Sequence, residues 1–415
     1  MITVTEAGRI ILNNAKLLPC ETVSLGQAHG RVLREDVHSD RPQPPFDKAL
    51  MDGVAIRAIA ASTSLSMASM VSLPNHNRPY ILEGVVAAGQ PQRQRKKPDG
   101  CFQIMTGAVV PQGCDTIIPI EQVSIQNGKV YLKEKATITR GQFIRPKGSD
   151  AHKGQLLLAK NIWLNTPSIG VLAGVGKAKV KVSIQPKVAV ISTGDELVDI
   201  DRHPQDYQTR LSNNFALKSL LEASGLAAPS IFHYPDNKKI LLKRIAGHLK
   251  AFDILILSGG VSMGEFDYVP QVLKELGVKM LFHKVAQKPG KPLWFGKTRD
   301  GKVVFALPGN PASTQICAYR YVIPFLKKSA GVNVETRHGS TTLTTSCLVS
   351  TKWLPLATDL TLFLPVRVSE KNGTRYAQIV PTGGSGDFAA LAQADGFIEY
   401  DQTKKSLRPY FSWRI

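Results

Sequence analysis

The chain has few cysteines, fewer acidic than basic residues, and no long apolar run. Its five cysteines are scattered among 415 residues without Cys-x-x-Cys spacing, which argues against a disulfide framework and against a zinc site. No apolar run reaches the ~20 residues of a membrane-spanning helix. Glu6, Arg9 and Lys16 interrupt the region where a signal peptide needs an apolar core. These absences predict a cytoplasmic protein with reduced cysteines and no membrane segment.

The basic balance restricts the partners without naming one. Lys and Arg number 52 and Asp and Glu number 32, so the formal net charge is +20. Such a field attracts phosphates, oxyanions, nucleic acid or acidic lipid. The densest basic cluster, residues 93–97, lies between two prolines and contains no aromatic side chain. This pattern is more typical of a solvated loop than of a nucleic-acid surface, and we predict no nucleic-acid partner.

The length suggests about two to four domains. Thr3 and Glu6 have capping-box spacing, which predicts an opening helix. Residues 84–131 alternate short apolar runs with Gly and Pro turns, which predicts a β-rich region. We place an N-terminal helical and linker domain at 1–40 and 142–176, a β-rich inserted domain at 41–141, an α/β domain at 177–328 and a C-terminal β domain at 329–415.

The centre of the chain alternates between strand and helix patterns. Residues 188–192, 253–257 and 303–307 are apolar runs typical of strands buried on both faces. Helical patterns separate and follow them, at 214–222, 239–250, 269–276 and 312–326. This order predicts a doubly wound parallel sheet, in which ligands bind at the carboxyl ends of the strands. Three polar, glycine-rich loops should therefore converge on one pocket, at 192–196, 258–262 and 308–311.

The loop at 258–268 is the most informative segment. Gly259 and Gly260 follow an apolar run and allow positive φ and close backbone approach, so that N–H groups can face an anion. Glu265 and Asp267 then fall near the first turn of a predicted helix. Carboxylates at that position are also ordinary partners of the helix dipole. That alternative accounts for the acids but not for the paired glycines.

Acidic and basic side chains occur in turn-like contexts along the chain. Each acid could alone be a turn residue, whereas Lys288 and Lys291 flank Pro289 and Gly290 in a stiff loop suited to an oxyanion. Acids, lysines and glycine turns together indicate a polyanionic ligand handled with a divalent metal such as Mg²⁺. No evident pair of nucleophile and base is present. The acids are Asp52, Asp150, Glu196, Asp236 and Asp267.

The ordered set of these motifs resembles the MoeA family of molybdopterin molybdenumtransferases, a fold also found as the C-terminal domain of gephyrin. The resemblance covers nearly the whole chain. It implies an α/β multidomain protein: a central doubly wound molybdopterin-binding α/β domain, a β-rich N-terminal domain and a small all-β C-terminal domain. Only the segment at 258–267 is specific alone, and it marks molybdopterin-binding domains in general. The carrying segments are 44–53, 105–108 with Pro111 and Gly113, 192–197, 258–267, 288–292 and 307–311.

The resemblance implies that molybdate reacts with adenylylated molybdopterin, that AMP leaves and that molybdenum cofactor forms, with Mg²⁺ as the cofactor. It implies catalytic roles for Asp52, Asp150, Asp267, Lys288 and Lys291. It implies metal ligation by Asp52, Glu196, Asp236 and Asp267. It implies that Pro308 and Pro311, with the two lysines, shape the molybdate and phosphate end. Substrate binding is implied for the whole set of Thr106, Thr193, Gly194, Glu196, Asp236, Gly259, Gly260, Ser262, Pro308, Pro311 and Ser385.

The resemblance also implies a homodimer with a shared active site, and, as partners, a molybdopterin adenylyltransferase and apo-molybdoenzymes. The chain departs from the family at Lys48-Ala49-Leu50, where Asn-Ser-Ala is usual, at Val54, where Tyr is usual, and at Ser149, where an acid is usual. Two other functions share parts of this pattern: a non-catalytic molybdopterin-binding or scaffold paralogue, and a molybdopterin adenylyltransferase. Molybdate and tungstate are both tetrahedral oxyanions of similar size, so these residues admit either.

Overall fold

The computed structural model describes residues 1–58, 79–133, 138–261, 267–334, 359–401 and, as backbone only, 348–349 and 406–412. The chain forms two compact units. The first unit comprises Met1–Glu35, Lys160–Gly170 and Ala178–Ile415, and the second comprises Asp36–Ala159 and Val171–Lys177. The finer division into four domains stays a prediction. Ser262 and Glu265, and most of the alternating segment at 340–350, lie outside the described residues.

The first unit opens with the predicted helix, Val4–Asn13. Thr3 caps it, because the Thr3 side chain accepts a hydrogen bond of 3.2 Å from the Glu6 amide. The strand Cys20–Ser24 follows and pairs antiparallel with the strand Lys179–Ser183. A single 3₁₀ turn, Leu25–Gln27, lies beyond the first of these strands.

A six-stranded sheet forms the centre of the first unit. The three predicted strands are present, and a fourth joins them in parallel. Two further strands at one side pair antiparallel, so the sheet is mixed and the purely parallel sheet predicted from the sequence is wrong in this respect. The strand order is Ala228–Tyr234, Lys187–Thr193, Ile254–Ser258, Val303–Leu307, Trp294–Lys297 and Lys279–His283.

Helices cover both faces of this sheet, as the doubly wound prediction requires. Val188 and Val190 belong to one apolar core and Ala189 and Ile191 to the other, because successive strand residues point to opposite faces. The predicted long final helix is interrupted by a π-helical turn at Ala318–Val322. The helices are Ser212–Ser224, Lys238–Ala251, Val269–Glu275, Pro311–Cys317 and Ile323–Ser329; a two-stranded ribbon joins Leu197–Val198 to Thr209–Arg210.

The C-terminal part of the first unit is a second sheet. The strand Gln287–Lys288 pairs in parallel with the strand Thr361–Lys371. It therefore joins this sheet to the central part of the same unit. The predicted all-β character is corrected by one short helix among the described residues, Phe388–Gln393. The remaining strands are Leu348–Val349, Thr374–Ile379, Gly396–Asp401 and Ser406–Ser412.

The second unit is β-rich, as predicted. Its main sheet has six strands in the order Thr116–Pro119, Gly53–Ile56, Gly100–Ile104, Tyr80–Val86, Lys129–Leu132 and Val123–Gln126. Two small ribbons accompany it: Lys48–Ala49 pairs with Ile144–Arg145, and Val37–His38 pairs with Leu156–Leu158. A 3₁₀ turn lies at Ile120–Gln122, and the helix Thr166–Gly174 continues into this unit from the first.

The cysteines of the described residues form no disulfide bond. Cys20, Cys101, Cys114 and Cys317 are unpaired. Burial raises the pKa of the Cys317 thiol to about 12, so this thiol stays protonated and inert. Within the ranges that the structure describes, none of the helices combines the length and the hydropathy needed to cross a bilayer.

A buried lysine in the first unit makes stability depend on pH. Lys327 is 7% exposed, and its Nζ lies 5.8 Å from the centroid of the Trp163 ring. Burial lowers the pKa of Lys327 from 10.5 to about 8. Because the unfolded chain holds this proton more tightly, stability is lost as the pH falls from 10.5 through 8. We expect Lys327→Met to stabilise the protein at pH 7 by about 1–3 kcal/mol.

Urea unfolding at pH 7 and at pH 10 measures this effect. The gain from Lys327→Met should shrink at the higher pH, because the wild-type lysine is then largely neutral in the folded state. A gain of equal size at both pH values would show that packing, not charge burial, separates the two proteins.

Candidate functional site

The three predicted loops line one cavity of about 1100 Å³ in the first unit. They come from the carboxyl ends of the strands Lys187–Thr193, Ile254–Ser258 and Val303–Leu307, which are adjacent in the sheet. Carboxylates from two further segments face the same space. Of the predicted site residues, the lining includes Thr193, Glu196, Asp236, Gly259, Gly260, Asp267, Pro308 and Pro311.

The paired glycines are required by the packing of their turn. Gly259 and Gly260 have φ values of +96° and +64°. A Cβ on Gly259 would lie 2.6 Å from the Thr193 carbonyl oxygen, and one on Gly260 would lie 2.8 Å from Thr193 Oγ1. The Gly259 amide donates to the Leu307 carbonyl oxygen at 3.3 Å. The turn therefore exposes backbone without side chains to the cavity. One of its amides, that of Gly259, is already bonded to the end of the strand Val303–Leu307.

Gly194 is a comparable position in the adjacent loop. Its φ is +150°, and a Cβ there would lie 2.5 Å from Glu196 Oε2. A side chain at this position would therefore displace the Glu196 carboxylate from the cavity. In this geometry Gly194 leaves room for Glu196, and its contact with a bound ligand stays a prediction.

The surroundings of Asp236 in the cavity raise the pKa of its carboxyl group. Burial is the largest cause of this rise in pKa, and the charges of Asp195, Glu196 and Asp267 add to it. The nearby Thr193 hydroxyl acts in the opposite direction and lowers the pKa. Asp236 Oδ1 and Thr193 Oγ1 are both buried, and neither completes a hydrogen bond of normal geometry. A buried acceptor without a partner costs about 1–3 kcal/mol. The cavity is therefore prepared for a donor or a cation at Asp236.

The same carboxylates fit the implied Mg²⁺. In the part of the chain that the structure describes, no three His, Cys, Asp or Glu side chains form a ready metal cage. Mg²⁺ is usually held by one or two carboxylates together with waters and phosphates of the substrate, and hard oxygen donors suit it. The unsatisfied oxygen of Asp236, with the negative charges of Glu196 and Asp267 nearby, meets this description.

Asn213 is a cavity residue that the sequence did not reveal. Its Nδ2 donates to Ser258 Oγ at 2.9 Å and to the Gly309 carbonyl oxygen at 2.6 Å. One side chain therefore ties the ends of two strands together where their loops form the cavity. Only its place at the start of a helix is visible in the sequence, and a single Asn there has no distinctive pattern.

Substitution of Asn213 should loosen the cavity. In Asn213→Asp the carboxylate has no proton for Gly309 and repels its carbonyl oxygen, so we expect AMP, the product that the family resemblance implies, to bind about 5- to 100-fold more weakly. Calorimetric titration with AMP and Mg²⁺ measures this. The matched control is Asn165→Asp, because Asn165 Oδ1 only accepts hydrogen bonds, from the Ser168 amide and hydroxyl. Equal affinities for wild type and Asn213→Asp would remove this role.

A second cavity, of about 400 Å³, adjoins the first. Pro292, Pro308 and Asn310 line both cavities, and the exposed Lys288 and Lys291 line the second. Ser385 also lines it: the Ser385 Oγ accepts from Asn310 Nδ2 at 2.7 Å, and the Ser385 carbonyl oxygen accepts from the Ala312 amide at 3.1 Å. The C-terminal part of the first unit thus contributes Ser385 to the lining of this cavity, and its role in binding stays a prediction.

Asp52 and Thr106 meet in the second unit. The strand Gly53–Ile56 pairs with the strand Gly100–Ile104, and the register sets Gly53 opposite Ile104, so the residues just beyond them are neighbours. The Thr106 hydroxyl and amide each donate to Asp52 Oδ1 at 2.6 Å. These two hydrogen bonds lower the pKa of Asp52, so the exposed carboxylate is ionised at neutral pH.

Asp150 lies in the same unit and has a partner that the sequence did not indicate. Arg145 donates to Asp150 Oδ1 from Nε at 2.9 Å and from a terminal nitrogen at 2.6 Å. The Ser149 hydroxyl donates to the same oxygen at 3.1 Å. Lys48 pairs with Arg145 across a short ribbon, so the two unusual residues, Lys48 and Ser149, both border this ion pair.

Models of known protein families match nearly the whole chain, not only its centre. Three family models match in order: "MoeA N-terminal region (domain I and II)" at residues 2–176, "Probable molybdopterin binding domain" at 189–328 and "MoeA C-terminal region (domain IV)" at 349–409. Together they cover both units described above.

Curated relatives and solved structures extend this match. The chain is 36% identical over 420 residues to the molybdopterin molybdenumtransferase of Synechocystis sp., with 100% of both chains covered. It is 34% identical to the protein of that name from Haemophilus influenzae, covering 80% of this chain and 78% of the other. The crystal structure of a molybdopterin biosynthesis MoeA protein from Pyrococcus horikosii is 28% identical, with a TM-score of 0.74 over 99% of this chain and 97% of that one.

Proposed function

Since the chain belongs to the molybdopterin molybdenumtransferase family and acts by molybdenum insertion in molybdenum cofactor biosynthesis, we propose that the two adjoining cavities divide its substrates. Adenylylated molybdopterin binds in the first cavity, along the turn of Gly259 and Gly260. Molybdate binds in the second, near Lys288 and Lys291. The observation that carries this proposal is their shared wall of Pro292, Pro308 and Asn310, which brings the two substrates side by side.

The bare turn provides the contact for phosphate. We assign this contact to the Gly260 amide, because the Gly259 amide already donates to Leu307. A backbone amide in a glycine turn approaches an anion closely without adding a side chain. Ser262, which the sequence also assigned to this role, lies outside the described residues. Thr193 and Gly194 shape the opposite wall, where they hold the glycine turn and leave room for Glu196.

Charge complementarity supports the placement of molybdate. Molybdate and a phosphoanhydride are both anionic, so bringing them together requires positive groups nearby. Lys288 and Lys291 are exposed on the second cavity and supply two ammonium groups. Bound Mg²⁺ would offset further negative charge. Asp236 would hold it through Oδ1, which lacks a partner, with Glu196 or Asp267 as the second carboxylate, since the charges of both act on Asp236.

Proton handling is assigned to the acids. Asp52 is ionised and so can accept or position a proton as oxo groups of molybdate leave as water. We assign Thr106 to holding Asp52 by its two hydrogen bonds. We assign Asp150 to holding the Arg145 guanidinium by two hydrogen bonds. Its negative charge offsets the repulsion between Arg145 and Lys48, which pair across their ribbon. Positioning of the reactants then accounts for much of the rate.

A coupled turnover assay tests the proposal. Purified protein is mixed with adenylylated molybdopterin, molybdate and Mg²⁺, and AMP release is followed together with reconstitution of an apo-molybdoenzyme. We expect AMP and active cofactor to appear in equal amounts. Tight ligand binding without turnover would contradict the proposal and would implicate the changes at Lys48 and Ser149 first.

Lys291→Ala should raise the molybdate concentration that is needed for half-maximal turnover, without changing the affinity for AMP.

We further propose a homodimer with shared active sites, in the cytoplasm, that receives its substrate from a molybdopterin adenylyltransferase and delivers cofactor to apo-molybdoenzymes. The unpaired cysteines among the described residues support a reducing compartment. Light scattering during size-exclusion chromatography tests the dimer directly. A mass of one chain at micromolar concentration would rule it out.

A further inference from the structure

Phe388 is a large aromatic residue that stays 64% exposed while lining the first cavity. It also lines a neighbouring depression of about 280 Å³, together with Gln315, Tyr319 and Leu391. A flat aromatic ring at the edge of a cavity is available to stack on a ligand that is bound there. Its position at the border of the cavity and the depression therefore allows direct contact with a bound ligand.

The backbone around Phe388 is held firmly. Asp387 caps the helix Phe388–Gln393, accepting from the Ala390 amide at 3.0 Å and from the Gly383 amide at 2.9 Å. Ser385, three residues earlier, is bound to the central domain through Asn310 and Ala312. Leu391, one helical turn later, is buried. The ring is thus presented on a fixed backbone at the edge of the cavity.

We propose that Phe388 is a stacking platform for a planar heteroaromatic ring of the bound substrate. This inference rests on the proposed function, since adenylylated molybdopterin has such a ring at each end, a purine and a pterin. Both rings are large and flat, and both stack on aromatic side chains. With phosphate at Gly260, a ring at the junction of the cavity and the depression would meet Phe388. The glycine turn then selects the charge and Phe388 selects the planar ring.

Calorimetric titration of the full chain with AMP and Mg²⁺, and separately with a free pterin, tests this proposal. We expect Phe388→Ala to weaken binding of the stacked ring by about 5- to 150-fold. A loss with AMP assigns the purine, and a loss with the pterin assigns the pterin. Phe388→Tyr should bind as wild type, and Phe388→Leu, which is apolar but not aromatic, should bind weakly.

Two controls separate stacking from other effects. Ribose 5-phosphate has phosphate but no heteroaromatic ring, so its affinity should be the same for wild type and Phe388→Ala. Tyr376→Ala removes another exposed aromatic residue of the C-terminal sheet, one that lines neither cavity, and should leave AMP binding unchanged.

The outcomes distinguish this inference from the proposed function. If wild type binds AMP or pterin, and Phe388→Ala binds both equally well, the stacking role is wrong and the proposed function stands. Equal binding by Phe388→Leu would also overturn stacking, in favour of simple apolar cover. If wild type binds neither ring, the placement of the substrate in this cavity fails, and the role of Phe388 fails with it.

Discussion

Asp52→Asn should reduce molybdenum insertion by about 10²-fold or more, the usual contribution of a positioned acid or base, while AMP binding stays close to wild type. The asparagine oxygen can still accept both hydrogen bonds from Thr106, so the local backbone should keep its structure. What is lost is the ionised carboxylate that the lowered pKa maintains. Coupled AMP and cofactor formation measures the loss, and calorimetry measures AMP binding.

A matched control is Asp99→Asn, an acid in the same unit with no assigned role in the reaction. It should turn over as wild type. Normal turnover by Asp52→Asn would remove Asp52 from the chemistry and return it to the role of a turn residue.

The same substitution tests whether active sites are shared between subunits. In a homodimer with shared sites, mixing inactive Asp52→Asn subunits with inactive Asp267→Asn subunits creates some sites with both native acids. Random exchange in a two-fold dimer should restore roughly a quarter of wild-type activity. Sites built within one chain predict no recovery. Subunit exchange itself is checked by mixing tagged and untagged wild type.

Glu399→Gln should destabilise the protein by about 3–5 kcal/mol, because it leaves the buried Arg320 guanidinium without its carboxylate. Arg320 Nε lies 2.8 Å from Glu399 Oε2, and the two side chains are only 5% and 2% exposed. Arg320 lies in the π-helical turn and Glu399 in the strand Gly396–Asp401, so the pair joins the central and C-terminal parts of the first unit. The free energy of unfolding in urea gives the loss.

An exposed pair provides the comparison. Lys218 and Glu222 are 3.8 Å apart with side chains 41% and 54% exposed, so Glu222→Gln should cost no more than about 0.5 kcal/mol. The double variant Arg320→Met with Glu399→Leu should recover much of the stability, because it removes both buried charges. A cost for Glu399→Gln as small as that for Glu222→Gln would show that Arg320 is compensated elsewhere.

Local patterns accounted for much of the central fold. The apolar run at 253–257 became the strand Ile254–Ser258, and the spacing of Thr3 and Glu6 marked a real helix cap. The edge strands Lys279–His283 and Ala228–Tyr234 were missed, because an edge strand is partly exposed and lacks a continuous apolar run. The π-helical turn was missed because its side-chain pattern does not differ from that of an α-helix over five residues.

The amino-acid sequence alone was enough to predict the glycine turn at 259–260, the three central strands and the residue types at their carboxyl ends, because apolar periodicity and turn chemistry are local. Which side chains meet depends on how these segments pack in three dimensions. Asn213 bridges Ser258 and Gly309, and Phe388 reaches the first cavity from the helix Phe388–Gln393 of the C-terminal part. Such contacts join segments far apart in sequence, so they follow from packing, which no single segment encodes.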